Sequence, residues 1–438
     1  MKKAIDCVDN ASIDGGFRVQ PGKKRRFHRL MSDIVGDETN YDAHDHKITK
    51  QTMIQEMHKM LINVAEEIHD DPELDAKSVF DEKKREYCRN TIGSKKIEYE
   101  IAFPLNILNI EKILRSVATP ETSIEWIERD KWKENYENPA RENDKNHFER
   151  FLDRESPNSL EPNRYGNERF TFWKADYEAR DGDYAMFAVQ NITRFFISKL
   201  NYALYEGRGK MQPAGNDRPL YARWSPLQEP FFYLIFDDTG EYVNYWPMDF
   251  EYRRRAEIAA REDMDERIER FQKLPNLPTV NPELSALDEK IMNALLSFQD
   301  GITVESTQQS FFSFWRGIEN LAQVERQQSH DSVTDRVLPL FNVQTTDEHV
   351  GSEEEEALNS LTDKRSNLVH EGPNSRITET HQLVAKRLLD NLFEFYFEYY
   401  DRNYDSDDFR MFLKYMADSQ EENERSLEIL EDVLNFRE

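Results

Sequence analysis

At 438 residues the chain is longer than one ordinary hydrophobic core accommodates, so two or three domains are expected. Its 85 acidic and 58 basic side chains leave a net charge of −27 and a pI near 4.9. This excludes nucleic-acid binding through the overall field and leaves RNA contact to a local site, except in a high-salt cytoplasm, where the repulsion is screened within a few ångströms.

The 27 Phe, 19 Tyr and 6 Trp are enough to fill sizeable cores and argue against a disordered chain. Only Cys7 and Cys88 are present, which reads as two free thiols in a reducing cytoplasm, with neither a disulfide framework nor a zinc site. The start, "MKKAIDCVDN", lacks an apolar stretch, so no secretory signal is expected. No run of about 18 apolar residues is present, so no membrane span is expected. No glycine-rich phosphate loop occurs among the 15 glycines, and no cofactor is expected.

Along the chain, "KKRRFHRL" (Lys23 to Leu30) reads as a solvated basic turn. "DAHDHK" alternates ligand-type residues at His44 and His46, but no further ligand cluster accompanies them, so no metal is expected. Ile54, Met57, Leu61, Val64 and Ile68 have helical spacing over 51–69. "IEYEIAF" (97–103) alternates as a strand, and 105–117 reads as a short helix. The stretch 130–165, rich in Asn, Glu, Asp and Pro, reads as a polar loop or insertion. A strong helix over 183–207 should end at Gly207. "PFFYLIFDDTGEYVNYW" (230–246) reads as a hairpin turning at "DDTG". These elements predict an α+β region over 1–280, as one domain or two subdomains. A highly charged helix is expected over 249–274, with opposite charges three and four apart. "PNLPTVNPE" (275–283) then marks a domain boundary.

Residues 281–438 carry roughly −19 of the charge and show no strand pattern. Helices are expected at about 284–300, 304–328, 353–370 and 376–402, with a fifth over about 406–435 in one piece or two. This predicts an all-α bundle.

In the third of these helices, Leu358, Leu361, Leu368 and Val369 fall in one arc of about 100°, and Arg365 falls inside it. A cation on a buried face needs a partner or a wet cleft. Glu319 offers the partner, at the edge of the Phe311, Trp315, Ile318 and Ala322 stripe of the preceding helix. The fourth helix supplies the opposing face with Val384, Leu388, Leu392, Phe395 and Tyr399. His370 lies about 140° around the wheel from Arg365, in the last turn before Gly372 and Pro373. A two-fold dimer could bring both residues of two chains to one groove.

"FFSFWRGIENLA", followed about fifty residues later by "RSNLVHEGP", resembles the HEPN superfamily, particularly its Apea-like branch, over about 284–402. The matches are Arg365 and His370 to its R-x4-6-H signature, Gly372 after it, and Trp315, Ile318 and Glu319 on the helix before it. Arg141 with His147 and Arg376 with His381 repeat the bare spacing without that context. The resemblance implies a metal-independent ribonuclease that works as a homodimer through its C-terminal bundle. His370 would move a proton, Arg365 would hold the phosphate and Glu319 would orient Arg365. Ser366 and Asn367 would support the RNA groove, and Arg316 would widen the positive strip. It further implies antiviral defence or growth arrest, with 1–280 as a sensor of an unnamed trigger. The alternative is a non-catalytic HEPN-type module that binds RNA or a partner and dimerises.

Overall fold

The computed structural model describes parts of 22–33 and most of 46–437. Outside it lie 146–159, 162–169, 208–223, 248–255, 258–283, 323–332, 341–359 and 367–376, besides single residues and pairs.

Helix α1 (Lys50–Asp70) begins where the Thr49 hydroxyl accepts the Thr52 amide at 3.1 Å. It buries Met53, Met57, Met60 and Leu61 with Phe27, Ile48 and Tyr87, and α2 (Ala76–Tyr87) packs on it. Phe27 is thus a core residue of the basic cluster, with Leu30 packed beside it while Lys24, Arg25, Arg26 and Arg29 are exposed.

A six-stranded antiparallel sheet organises the N-terminal half. In chain order its strands are β1 (Ile97–Leu105), β3 (Ser116–Ala118), β4 (Ser123–Ile127), β5 (Thr171–Ala179), β6 (Phe232–Phe236) and β7 (Tyr242–Pro247). Their spatial order is β3-β4-β5-β1-β6-β7. The minor strand β2 (Ile107–Leu108) instead pairs in parallel with β8 (Ala256–Glu257). Central β1 shows the two-residue period of a strand covered on both sides. Tyr99, Ile101, Phe103 and Leu105 enter one core, whereas Ala102 enters another with Phe172, Phe232 and Leu234. The 230–246 hairpin forms as expected. Asp237 Oδ1 accepts the Thr239 and Glu241 amides, and Gly240 takes φ 79° in the turn.

The expected helix over 105–117 is absent. β2, a 3-10 turn at Ile110–Lys112 and β3 replace it, because 256–257 and β4 supply ladder partners while Ile107 and Ile110 are fully buried. The 130–165 segment opens with helix rather than loop, in α3 (Arg129–Trp132), a π turn and α4 (Asn138–Asn143). Trp132, Tyr136 and Ala140, four apart, cover the second face of the sheet. Of the expected charged helix at 249–274, residues 256–257 are extended and the rest lies outside the described residues.

Helix α5 (Gly182–Tyr205) lies across the first face of the sheet and also joins the C-terminal helices. Past 283 the described residues form helices and no strand. The complete ones are α6 (Ala286–Thr303), α7 (Thr307–Ala322), α8 (Glu379–Tyr399), α9 (Ser406–Ala417) and α10 (Gln420–Arg437), while of the expected 353–370 helix 360–361 and 363–366 are helical and the rest lies outside the described residues. The sequence break at 275–283 matches no gap in the core. Tyr202 of α5 packs on Phe298, Phe393 and Phe397, and the Asn201 amide bonds the Leu227 backbone and Gln299. The chain thus has a helical cover, a sheet, α5 and a layer of C-terminal helices, the last three around one continuous core.

Gly301 sets the approach of α6 to α7, since a Cβ there would overlap the fully buried ring of Phe314. Gly301→Ala should therefore lower stability by about 1–3 kcal/mol despite alanine's better helix propensity. The check is the midpoint of urea unfolding.

Candidate active site

Helix α7 buries Phe311, Phe314, Trp315, Ile318, Leu321 and Ala322, which leaves Glu319 at the margin of the apolar stripe. The indole Nε1 of Trp315, one turn back, donates to Glu319 Oε1 at 2.8 Å. The expected pair forms on the same oxygen, with Arg365 Nε donating to Glu319 Oε1 at 3.1 Å. Residues 360–361 and 363–366 are helical, and Leu361 is fully buried. Leu358, Leu368 and Val369 lie outside the described residues.

The Arg365 side chain keeps 16 % of its surface exposed and that of Glu319 29 %, so the pair sits at the rim of the core. The anchor uses the inner nitrogen of the guanidinium. Among the described residues, no bond is found to the two terminal nitrogens. A fork held in this way can grip two oxygens of a phosphate side by side. The sequence places Trp315 in the apolar stripe and in the resemblance, but not as a partner of Glu319, although its i, i+4 spacing from Glu319 carries that signal.

Ser366 is half-buried on the turn that carries Arg365. His370 and Asn367 lie outside the described residues. Arg316, expected to widen the positive strip, reaches α6, donating to Asp300 Oδ2 at 2.8 Å and to Ser297 Oγ at 3.1 Å. Asp300 also pairs with Arg194 at 3.4 Å, so its carboxylate offsets charge from two cations.

The two other R–H spacings have structural roles where they are described. Arg141 pairs with Glu137 at 2.7 Å, and His147 lies outside the described residues. His381 forms the capping box of α8, where its Nδ1 accepts the Thr378 amide at 3.3 Å. Its Nε2 lies 3.0 Å from Ser360 Oγ, which ties α8 to the segment bearing Arg365. His381→Ala should accordingly lower stability by about 1 kcal/mol through the lost cap, as read by thermal melting, and leave any chemistry at Arg365 in place.

A cleft of about 690 Å³ between Ser285–Asp288 and Tyr400–Asp407 is lined by neither Arg365 nor Glu319. Among the described residues, no three His, Cys, Asp or Glu side chains converge to hold a metal, and no helix is long and apolar enough to cross a membrane. No family model, curated protein or solved structure matches the chain.

Proposed function

We propose that the chain is a metal-independent endoribonuclease with an HEPN-like helical domain in its C-terminal part. It would act as a homodimer, with residues 1–280 as the regulatory part that responds to an unnamed trigger in defence or growth arrest. The observation that carries this reading is the Glu319 clamp on Arg365, which fixes one nitrogen of the guanidinium and, among the described residues, leaves the phosphate-gripping pair without a bond.

In the proposed reaction the 2′-oxygen of RNA attacks the adjacent phosphorus and the bond to the 5′-oxygen breaks. The products are a 2′,3′-cyclic phosphate and a 5′-hydroxyl. His370 takes the 2′-hydroxyl proton or delivers one to the leaving oxygen, roles an imidazole can fill in either protonation state. Arg365 holds the non-bridging oxygens as negative charge builds on them.

One observation favours the second reading, a non-catalytic RNA- or partner-binding module. Asp300 neutralises Arg316, so Arg365 has no second arginine from α7 beside it on a chain of net charge −27.

The test is incubation of the full chain with single-stranded RNA in EDTA. Fragments ending in cyclic or 3′ phosphate are expected, and RNA carrying 2′-O-methyl groups should stay intact. Cleavage of the methylated strand would overturn the mechanism. Binding without cleavage would give the chain to the second reading.

A further inference from the structure

Helix α10 has an apolar side that nothing in the described chain covers. Leu427, Ile429, Leu430, Val433, Leu434 and Phe436 are between 44 % and 92 % exposed. At 100° per residue these six fill an arc of about 180°. Glu428, Glu431, Asp432 and Asn435 of the same stretch all fall in the opposite arc. Among the described residues, the helix is tied down at its first turn, where Asn423 Nδ2 donates to the Tyr415 carbonyl at 2.7 Å. Helices in proteins draw most of their stability from packing of an amphipathic face, and an apolar face this wide belongs against another surface.

We infer that α10 pairs with α10 of a second copy of this chain. The exposed area of the six side chains is roughly 650 Å², above the patch of about 300–600 Å² usual on a monomer. Two copies face to face would bury at most about 1,300 Å² in total, at the lower edge of the range of stable interfaces. Between Leu427 and Phe436 the seam carries no charge, and Glu422 and Arg437, toward the two ends of the helix, fall in the same arc with opposite signs, so the face as a whole selects neither a basic nor an acidic partner. The carboxylates between Leu427 and Phe436 point away from it, and self-pairing buries none of them. The opposing force is the long-range repulsion between two chains of −27 each, which salt screens. Pairing through α10 should therefore strengthen as salt rises, whereas a basic partner held by the acidic arc would be released. The inference rests on the homodimer of the proposed function and names the surface that joins its two copies; a dimer that survives the leucine substitutions would sink this surface alone, and RNA cleavage is read separately.

The test is sedimentation velocity of the full chain at micromolar concentration, in low and in high sodium chloride. A species of twice the 52.0 kDa chain mass is expected, with a larger dimer fraction at high salt. The double substitution Leu430→Glu and Leu434→Glu should return the protein to 52.0 kDa. Because both residues are exposed, the melting of the rest of the chain should not change. Glu428→Gln with Asp432→Asn, on the opposite arc, should keep the dimer. A wild-type chain that stays monomeric in both salts, a dimer that dissociates as salt rises, or a dimer that survives the leucine substitutions would overturn the proposal.

Discussion

Arg365→Ala is expected to slow RNA cleavage by about 10²–10³-fold, the usual cost of removing one group aimed at transition-state charge. Little of that loss should come from unfolding. The pair with Glu319 is partly exposed on both sides, where such contacts contribute about 1 kcal/mol or less. Arg365→Lys keeps the charge but loses the planar fork, so its rate should fall between the two. Glu319→Gln keeps an acceptor for Trp315 while weakening the hold on the guanidinium. It should cost about tenfold and leave the pH profile of cleavage where it was, as a positioning role requires. Single-turnover rates beside melting curves check the series. An Arg365→Ala protein as fast as wild type would remove Arg365 from the chemistry.

The largest stability effect is expected at Lys386. Its ammonium is 2 % exposed and donates to the Tyr205 carbonyl at 2.6 Å and to Asp390 Oδ2 at 2.7 Å. Asp390 Oδ2 also accepts the Gly207 amide at 3.1 Å. The pair thus satisfies the C-terminal end of α5 from α8, a contact between the two halves of the sequence. Lys386→Met leaves a buried carboxylate without its cation and should cost about 3–5 kcal/mol. Burial pushes the Asp390 carboxyl above its ordinary value even in the intact protein, and Lys386 is the main force opposing it. In the variant that opposition is gone. A carboxyl whose folded pKa is raised favours the folded state at pH below its unfolded value, and that support is lost as pH rises through the folded value. Lys386→Met should therefore regain stability as the solution is acidified from neutral, and Lys386→Met with Asp390→Leu should recover much of the loss at neutral pH. Denaturant midpoints across pH check both. A single variant as stable as wild type at neutral pH would contradict the buried pair.

Much of the fold is legible locally. The aromatic runs around "DDTG" and the long apolar helix closed by Gly207 carry their own turn and cap chemistry. The helices after 283 announce themselves by their stripes, and the fifth divides into α9 and α10. The Glu319–Arg365 contact was legible because a guanidinium in an apolar arc demands a nearby carboxylate. What local pattern hides is partnership at a distance. Ile107, Ile110 and Leu114 have helical spacing, but their stretch is drawn into extended structure by Ala256–Glu257, far along the chain, and by β4. Composition masked Trp132, Tyr136 and Ala140, whose four-residue spacing is the helix signal inside a polar stretch. The proline-rich break suggested separate cores, yet α5 is shared between the sheet and the C-terminal helices.

The most direct measurement compares wild type with His370→Ala on one RNA in EDTA, with 5′-hydroxyl ends counted over time. Wild type should release such ends, and the variant should lose at least about 10²-fold of the rate. Equal release by the two proteins would contradict a nuclease site built on Arg365 and His370.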